Sequence, residues 1–150
     1  MIYEEEKETI REMVERFWGE PEQLTFDREF VVAELPAYVA KTENNIIGFI
    51  SYAETENAML IVALGILPKH QDIGVGRSLV EKTEAKKTRK NRLLVSASND
   101  DLPALAFYQS LGFQIYEVKP NVIAEKHCGI LKGISGLPVR DELRLRKILY

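Results

Sequence analysis

The stretch that most constrains this chain is residues 59–81, MLIVALGILPKHQDIGVGRSLVE. Its first part, residues 59–67, is an unbroken apolar run, the pattern of a strand covered on both faces at the centre of a sheet. At about ten residues the run is far shorter than the roughly 18 a membrane-spanning helix needs. A turn with Gly74 and Gly76 follows, then a helix expected over about residues 74–90 with Leu79 and Val80 facing inward. Residues 92–98, RLLVSAS, read as the next strand. A strand–helix–strand crossover makes these two strands parallel neighbours.

The flanks build around that unit. Ile10, Met13, Val14 and Phe17 recur at i, i+3, i+4 and i+7, which predicts a helix over residues 4–18, stopped by Gly19 and Pro21. The link to Leu35 is irregular, with room for one short helical turn. Residues 37–42 and 46–55 form a hairpin about the turn signal Glu43-Asn44-Asn45, and a polar turn at Glu56-Asn57 leads to the central strand. After residues 92–98, the cluster Asn99-Asp100-Asp101 caps a short helix over 102–111, ended by Gly112. A strand over 113–118 comes next. Gly129, Gly133, Gly136 and Pro138 mark a long loop, and Leu143 and Leu145 alternate with Glu142, Arg144 and Arg146 in a closing strand over 139–149. The basic segment 86–92, KKTRKNR, complements the negative end of the helix before it. With no repeat and no dividing linker, residues 1–150 read as one α/β domain with a mixed sheet.

Charge and cysteine content limit the partners. Twenty Lys and Arg stand against 23 Asp and Glu, a formal net charge of −3, without the basic excess of a nucleic-acid binder. Cys128 is the only cysteine, so no intramolecular disulfide forms and a reducing, cytoplasmic setting is expected. The opening MIYEEEKETIREMV has no apolar signal core, and no Cys/His cluster has metal-ligand spacing. The expectation is a protein with no membrane, nucleic-acid or metal partner.

Glycines between a strand and a helix let the backbone approach an anion, and the first helical N–H groups point at it. Spacing then sorts the anions. A P-loop needs Gly-Lys-Ser/Thr, but Arg77-Ser78 follows Gly76. A dinucleotide fingerprint needs a third glycine, and position 79 is leucine. A plain structural turn remains open on these residues alone.

Two segments together carry a resemblance. Residues 66–79, ILPKHQDIGVGRSL, match V/I-x-P-x-x-Q/R-x-x-G-x-G/A through Ile66, Pro68, Gln71, Gly74 and Gly76. Residues 99–113, NDDLPALAFYQSLGF, match N-x-x-A-x-x-x-Y-x-x-x-G-F through Ala104, Tyr108, Gly112 and Phe113. In this order, with a strand between them, they resemble the GNAT superfamily of N-acetyltransferases, and the ending GLPVRDELRLRKIL resembles a bacterial and archaeal subset closing on an Arg-Asp-Glu strand. The resemblance implies a mixed, mostly antiparallel sheet with flanking helices, whose central parallel pair splays apart to admit acetyl-CoA as co-substrate. Its pyrophosphate would take backbone N–H groups of Ile73, Gly74, Val75, Gly76 and Arg77, with Gln71 and Asp72 also expected to bind the cofactor. The pantetheine would pair like an added strand with Leu64, Gly65 and Ile66.

Direct acetyl transfer to an amine needs a neutral nucleophile, oxyanion stabilisation and a proton for the departing thiolate. The resemblance gives Tyr108 the last role. It places an asparagine contacting pantetheine at position 101; this chain has Asp101 there and Asn99 two residues earlier. Many relatives carry a glutamate on the central strand, or an acid on the next, where Ser96 stands; residues 59–67 contain no acid or histidine. The general base is open among Glu54, Glu56, Asp141, Glu142 and a water chain. His127 beside Cys128 looks like a nucleophile pair, but neighbours on a strand face opposite ways. Tyr52 fits either the acceptor cleft or the core. The expected function is N-acetylation of a primary amine, on a small molecule or a protein N-terminus; the alternative is a non-catalytic acyl-CoA-binding module. A homodimer through the last strands is left open.

Overall fold

The β-branched and aromatic residues between positions 37 and 66 form three successive antiparallel strands in the computed structural model, which describes residues 2–4, 12, 13, 15, 22–43, 45–86, 91–127, 129 and 131–149. In chain order the strands and helices begin with β1 (Ile2–Glu4), β2 (Glu22–Thr25), β3 (Arg28–Val31), β4 (Ala37–Thr42), β5 (Asn45–Glu54) and β6 (Met59–Ile66). They continue with α1 (Val75–Glu84), β7 (Arg92–Ser98), α2 (Leu102–Ser110), β8 (Gln114–Lys119) and α3 (Val122–Lys126). The chain closes with β9 (Leu131–Lys132), β10 (Pro138–Val139) and β11 (Glu142–Ile148). Seven strands form one sheet in the order β1-β4-β5-β6-β7-β11-β8; β2 with β3 and β10 with β9 form separate hairpins.

Every neighbouring pair in the large sheet is antiparallel except β6 and β7. This is the mixed, mostly antiparallel sheet expected, and β11 inserts between β7 and β8. Apolar residues on both faces of β6 explain its central place. Met59 and Ile61 join a core with Ile50, Leu93, Val95 and Leu145 beneath Leu79 and Val80 of α1 and Leu105 and Tyr108 of α2. Ala63 joins a smaller core with Met13, Val32, Ala37, Val39 and Phe49.

Several expectations are corrected. Glu4 pairs with Tyr38 in β1 rather than opening a helix; Glu12, Met13 and Glu15 are helical, while Ile10, Val14 and Phe17 lie outside the described residues. The link before Leu35 holds the β2–β3 hairpin, and a single 3-10 turn follows at Val32–Glu34. Its tight turn uses Phe26 and Asp27, both with positive φ (53° and 64°), so no glycine marks it. Helix α1 stops at Glu84, short of residue 90, and residues 87–90 lie outside the described residues. The expected long loop contains α3 and the β9–β10 hairpin, pieces too short to show periodicity. Tyr52 is a core residue, 1% exposed and stacked on Tyr38 with ring centroids 5.6 Å apart.

Candidate active site

The site begins with a failure of pairing. Strand β6 is in register with β7 only at Met59↔Leu93 and Leu60↔Leu94. On the other side of β6 the ladder shifts: Ser51 opposes Ala63 and Tyr52 opposes Ile61, leaving Val62 as an extra residue. A bulge of this kind bends its strand and increases local twist. From Val62 onward β6 leaves β7, which stays paired with β11 along its whole length. Leu64, Gly65 and Ile66 therefore have no ladder partner on the β7 side. The side chain of Gln71 donates from Nε2 to the Ile66 carbonyl, 3.2 Å away, and so holds the turn to the end of the strand.

At the open end of the wedge stands the glycine turn. Gly74 is the N-cap of α1 at φ 90°, a conformation that suits glycine, and no side chain caps this helix. The first intrahelical bond runs from the Ser78 N–H to the Gly74 carbonyl, which leaves the N–H groups of Val75, Gly76 and Arg77 without helical acceptors. Asp72, Ile73 and Gly74 are exposed, Asp72 at φ 63°. Gly76 does something else. A Cβ there would stand 3.1 Å from Cζ of Phe107, so its lack of a side chain lets α1 lie close to α2.

Helix α2 begins at its predicted cap. The Asp101 carboxylate accepts from the Ala104 N–H at 3.2 Å, and Pro103 sits in the first turn. Tyr108 is 6% exposed between Phe107 and Phe113, with edge-on ring contacts at 5.2 and 5.5 Å. Burial first, and the negative charge of Asp101 second, push the Tyr108 phenol well above its ordinary range and keep it protonated. Asn99 is committed elsewhere. Its Nδ2 donates to the Pro138 carbonyl, and its Oδ1 accepts from the N–H groups of Arg140 and Asp141. It is a clamp on the loop before β11, and Asp101 is a helix cap.

The four carboxylates considered as a base are scattered. Glu54 pairs with Met59 and Glu56 follows in the next turn, at the closed end of the wedge. By strand rise Met59 at that end lies roughly 10 Å from Val62, and neither glutamate borders the cavity that opens at Val62. The Asp141 Oδ1 accepts from the Asn121 N–H at 2.8 Å, and Arg140 Nε donates to both its oxygens; hydrogen bonding from Arg140 holds its pKa below the usual range. Glu142 is buried, accepting from Arg144 Nε at 2.6 Å and from the Phe26 N–H at 3.1 Å.

Opposite the α1 and α2 face, a cavity of about 380 Å³ opens where β6 and β7 part. Val62 and Ser96 border it from the two diverging strands, Gln23 and Thr25 from the β2–β3 hairpin, Glu142 from β11, and His127 from the end of α3. Thr25 Oγ1 and Ser96 Oγ are 2.6 Å apart, fastening the hairpin to β7. Arg144 fastens its turn: Nη2 is 3.0 Å from Asp27, and the guanidinium lies 4.8 Å from the Phe26 ring centroid. Sequence reasoning missed this wall because nothing local links position 25 to position 96. His127 ends a short helix rather than lying on a strand, and Cys128 lies outside the described residues. A larger open cleft of about 890 Å³, beside Thr42, Ile46 and Lys69, has no wall from β7 or α2. No described helix is long and apolar enough to cross a membrane.

Comparison with known proteins agrees with this geometry. A family model described as an acetyltransferase (GNAT) domain matches residues 29–115. An uncharacterised protein of Bacillus subtilis (strain 168), YxbD, is 29% identical over 150 residues, covering 95% of this chain and 93% of its own. The solved structure of an IAA acetyltransferase from Bacillus cereus ATCC 14579 superposes with a TM-score of 0.82 at 23% identity, covering 99% of both chains. A Bacillus subtilis acetyltransferase in complex with CoA gives 0.81 at 20% identity, covering 99% of this chain and 98% of the other.

Proposed function

From the premise that the chain belongs to the GNAT acetyltransferase family, we propose that it is an acetyl-CoA-dependent N-acetyltransferase acting on a primary amine by direct attack. The observation that carries this reading is the wedge: two parallel residue pairs, then divergence, with an uncapped glycine-led helix at its open end. The residues present fit the co-substrate. Val75, Gly76 and Arg77 offer N–H groups to a pyrophosphate, and the freed edge of residues 64–66 offers strand-like pairing to pantetheine amides. CoA in the matching Bacillus subtilis structure supports the same assignment.

Each side chain then has a limited task. Tyr108 supplies a proton or hydrogen bond to the departing thiolate, a role its protonated state suits. Gln71 holds the turn against β6. Val62 and Ser96 border the opening through which an amine reaches the wedge from the hairpin side.

The test has two steps. Melting is measured with and without acetyl-CoA; at a hundredfold excess over Kd the expected stabilisation is about 2.7 kcal/mol, roughly 5–10 °C for a chain of this size. Acetyl-CoA and a panel of amines are then supplied and thiol release is followed. No melting shift rejects the co-substrate. A shift without thiol release for any acceptor supports instead an acyl-CoA-binding module without turnover.

A further inference from the structure

We propose that His127 is the general base of the acetyl transfer, a role that rests on the amine-acetylation reading above. Three observations converge on it. His127 borders the cavity that Val62 and Ser96 also border, at the parting of β6 and β7. His127 is exposed, and among the described residues its ring makes no hydrogen bond or ion pair, so a ring nitrogen is accessible to a substrate proton. The carboxylates considered for the task are outside the cavity or engaged: Glu54 and Glu56 do not border it, Asp141 is held by Arg140 and Asn121, and Glu142 by Arg144 and Phe26.

The charged groups facing the cavity are few. Lys126 of the same helix also borders the cavity, so one cationic group lies beside His127, with Glu29 of β3 3.9 Å from its Nζ. Glu142 of β11 borders the same cavity, with its charge balanced by Arg144, which also meets Glu117 and Asp27. From β2 and β7 the cavity receives only uncharged residues, the polar ones being Gln23, Thr25, Ser96 and Ser98. A volume of about 380 Å³ takes a small aliphatic amine or the first residue or two of a peptide.

The proton balance is as follows. His127 accepts a proton from the ammonium group of the acceptor, which frees the nitrogen lone pair. That pair forms the C–N bond, the thioester C–S bond breaks, and the thiolate leaves with the Tyr108 proton. The second proton lost by the nitrogen returns to Tyr108 through solvent, and His127 releases its proton to bulk water. One proton is liberated per turnover.

The test is the pH profile of kcat for wild type and His127→Gln with the best amine of the panel, alongside acetyl-CoA-dependent melting. Wild-type kcat should show a rising limb as pH increases, the signature of a base that must be unprotonated to act. His127→Gln should lose about 10²-fold or more in kcat and lose that rising limb, with an unchanged melting shift. A variant within twofold of wild type overturns the proposal. So does a slower variant that keeps the limb, because His127 would then only shape the cavity. Absence of thiol release by wild type with every amine overturns the N-acetylation reading itself, and is distinguishable because it appears before any substitution.

Discussion

Gly76 of α1 lies directly against Phe107 of α2, so close that a Cβ on the glycine would stand 3.1 Å from the phenylalanine Cζ. The second glycine of the turn thus serves helix packing, while Gly74, at φ 90°, serves the backbone conformation that exposes the N–H groups. Substitutions should separate them. Gly76→Ala should cost about 1–3 kcal/mol through overpacking, with recovery when Phe107→Leu is added. Gly74→Ala has open space around its Cβ but a strained φ, and should cost about 1–2 kcal/mol and weaken acetyl-CoA binding. Chemical denaturation with titration of the co-substrate checks both; failure of Phe107→Leu to rescue would remove the packing argument.

Tyr108→Phe keeps the ring contacts to Phe107 and Phe113 and removes only the hydroxyl. Turnover should fall by about 10²-fold while acetyl-CoA binding stays near normal. Because burial raises the wild-type phenol above its ordinary range, no loss of activity from its ionisation should appear as pH rises from 7 to about 10. Unchanged turnover in the variant would take Tyr108 out of the chemistry.

Asp141 should make stability depend on acid pH. Its folded-state pKa is lowered, chiefly by the hydrogen bond from Arg140. The associated stability is therefore present above the unfolded carboxylate pKa of about 3.9 and is lost as pH falls through the folded value. Asp141→Asn should melt lower than wild type at pH 7, on the order of 1 kcal/mol for the disturbed bond from the Asn121 N–H. The gap should close below about pH 4. A gap constant from pH 7 to 3 would mean that charge is irrelevant there.

Arg144 anchors the β2–β3 hairpin to the sheet through Glu142, Glu117 and Asp27. Arg144→Met strands the buried Glu142 carboxylate and should cost about 3–5 kcal/mol. Adding Glu142→Gln should restore part of that loss, since the unpaired charge is then gone. Arg144→Lys should not rescue, because one ammonium cannot present the separate Nε and Nη1 donors to Glu142 and Glu117 and also keep the Nη2 ion pair with Asp27. Urea unfolding of the three variants decides the matter.

What could be read locally was read well. The strands at residues 37–42 and 92–98 occur with their predicted bounds, because each is short, rich in apolar and β-branched residues and bounded by turn residues. Asp101 caps α2 as its position suggests. The β2–β3 hairpin was missed because Phe26 and Asp27 adopt positive φ without glycine, held there by Glu142 and Arg144 more than a hundred residues away. Local patterning carries no trace of such support.

The chain's own residue order therefore determined the strand–turn–helix unit, the short capped helix and the family motifs, since these depend on periodicity and on residues within a turn of one another. Tertiary structure alone decided which groups are free to do chemistry. It engaged Asn99, Asp141 and Glu142 in hydrogen bonds, set Gly76 against a phenylalanine, and left His127 bordering the cavity where the strands part. A side chain's availability depends on every polar group the fold brings within hydrogen-bonding distance, and most of those lie far away in sequence.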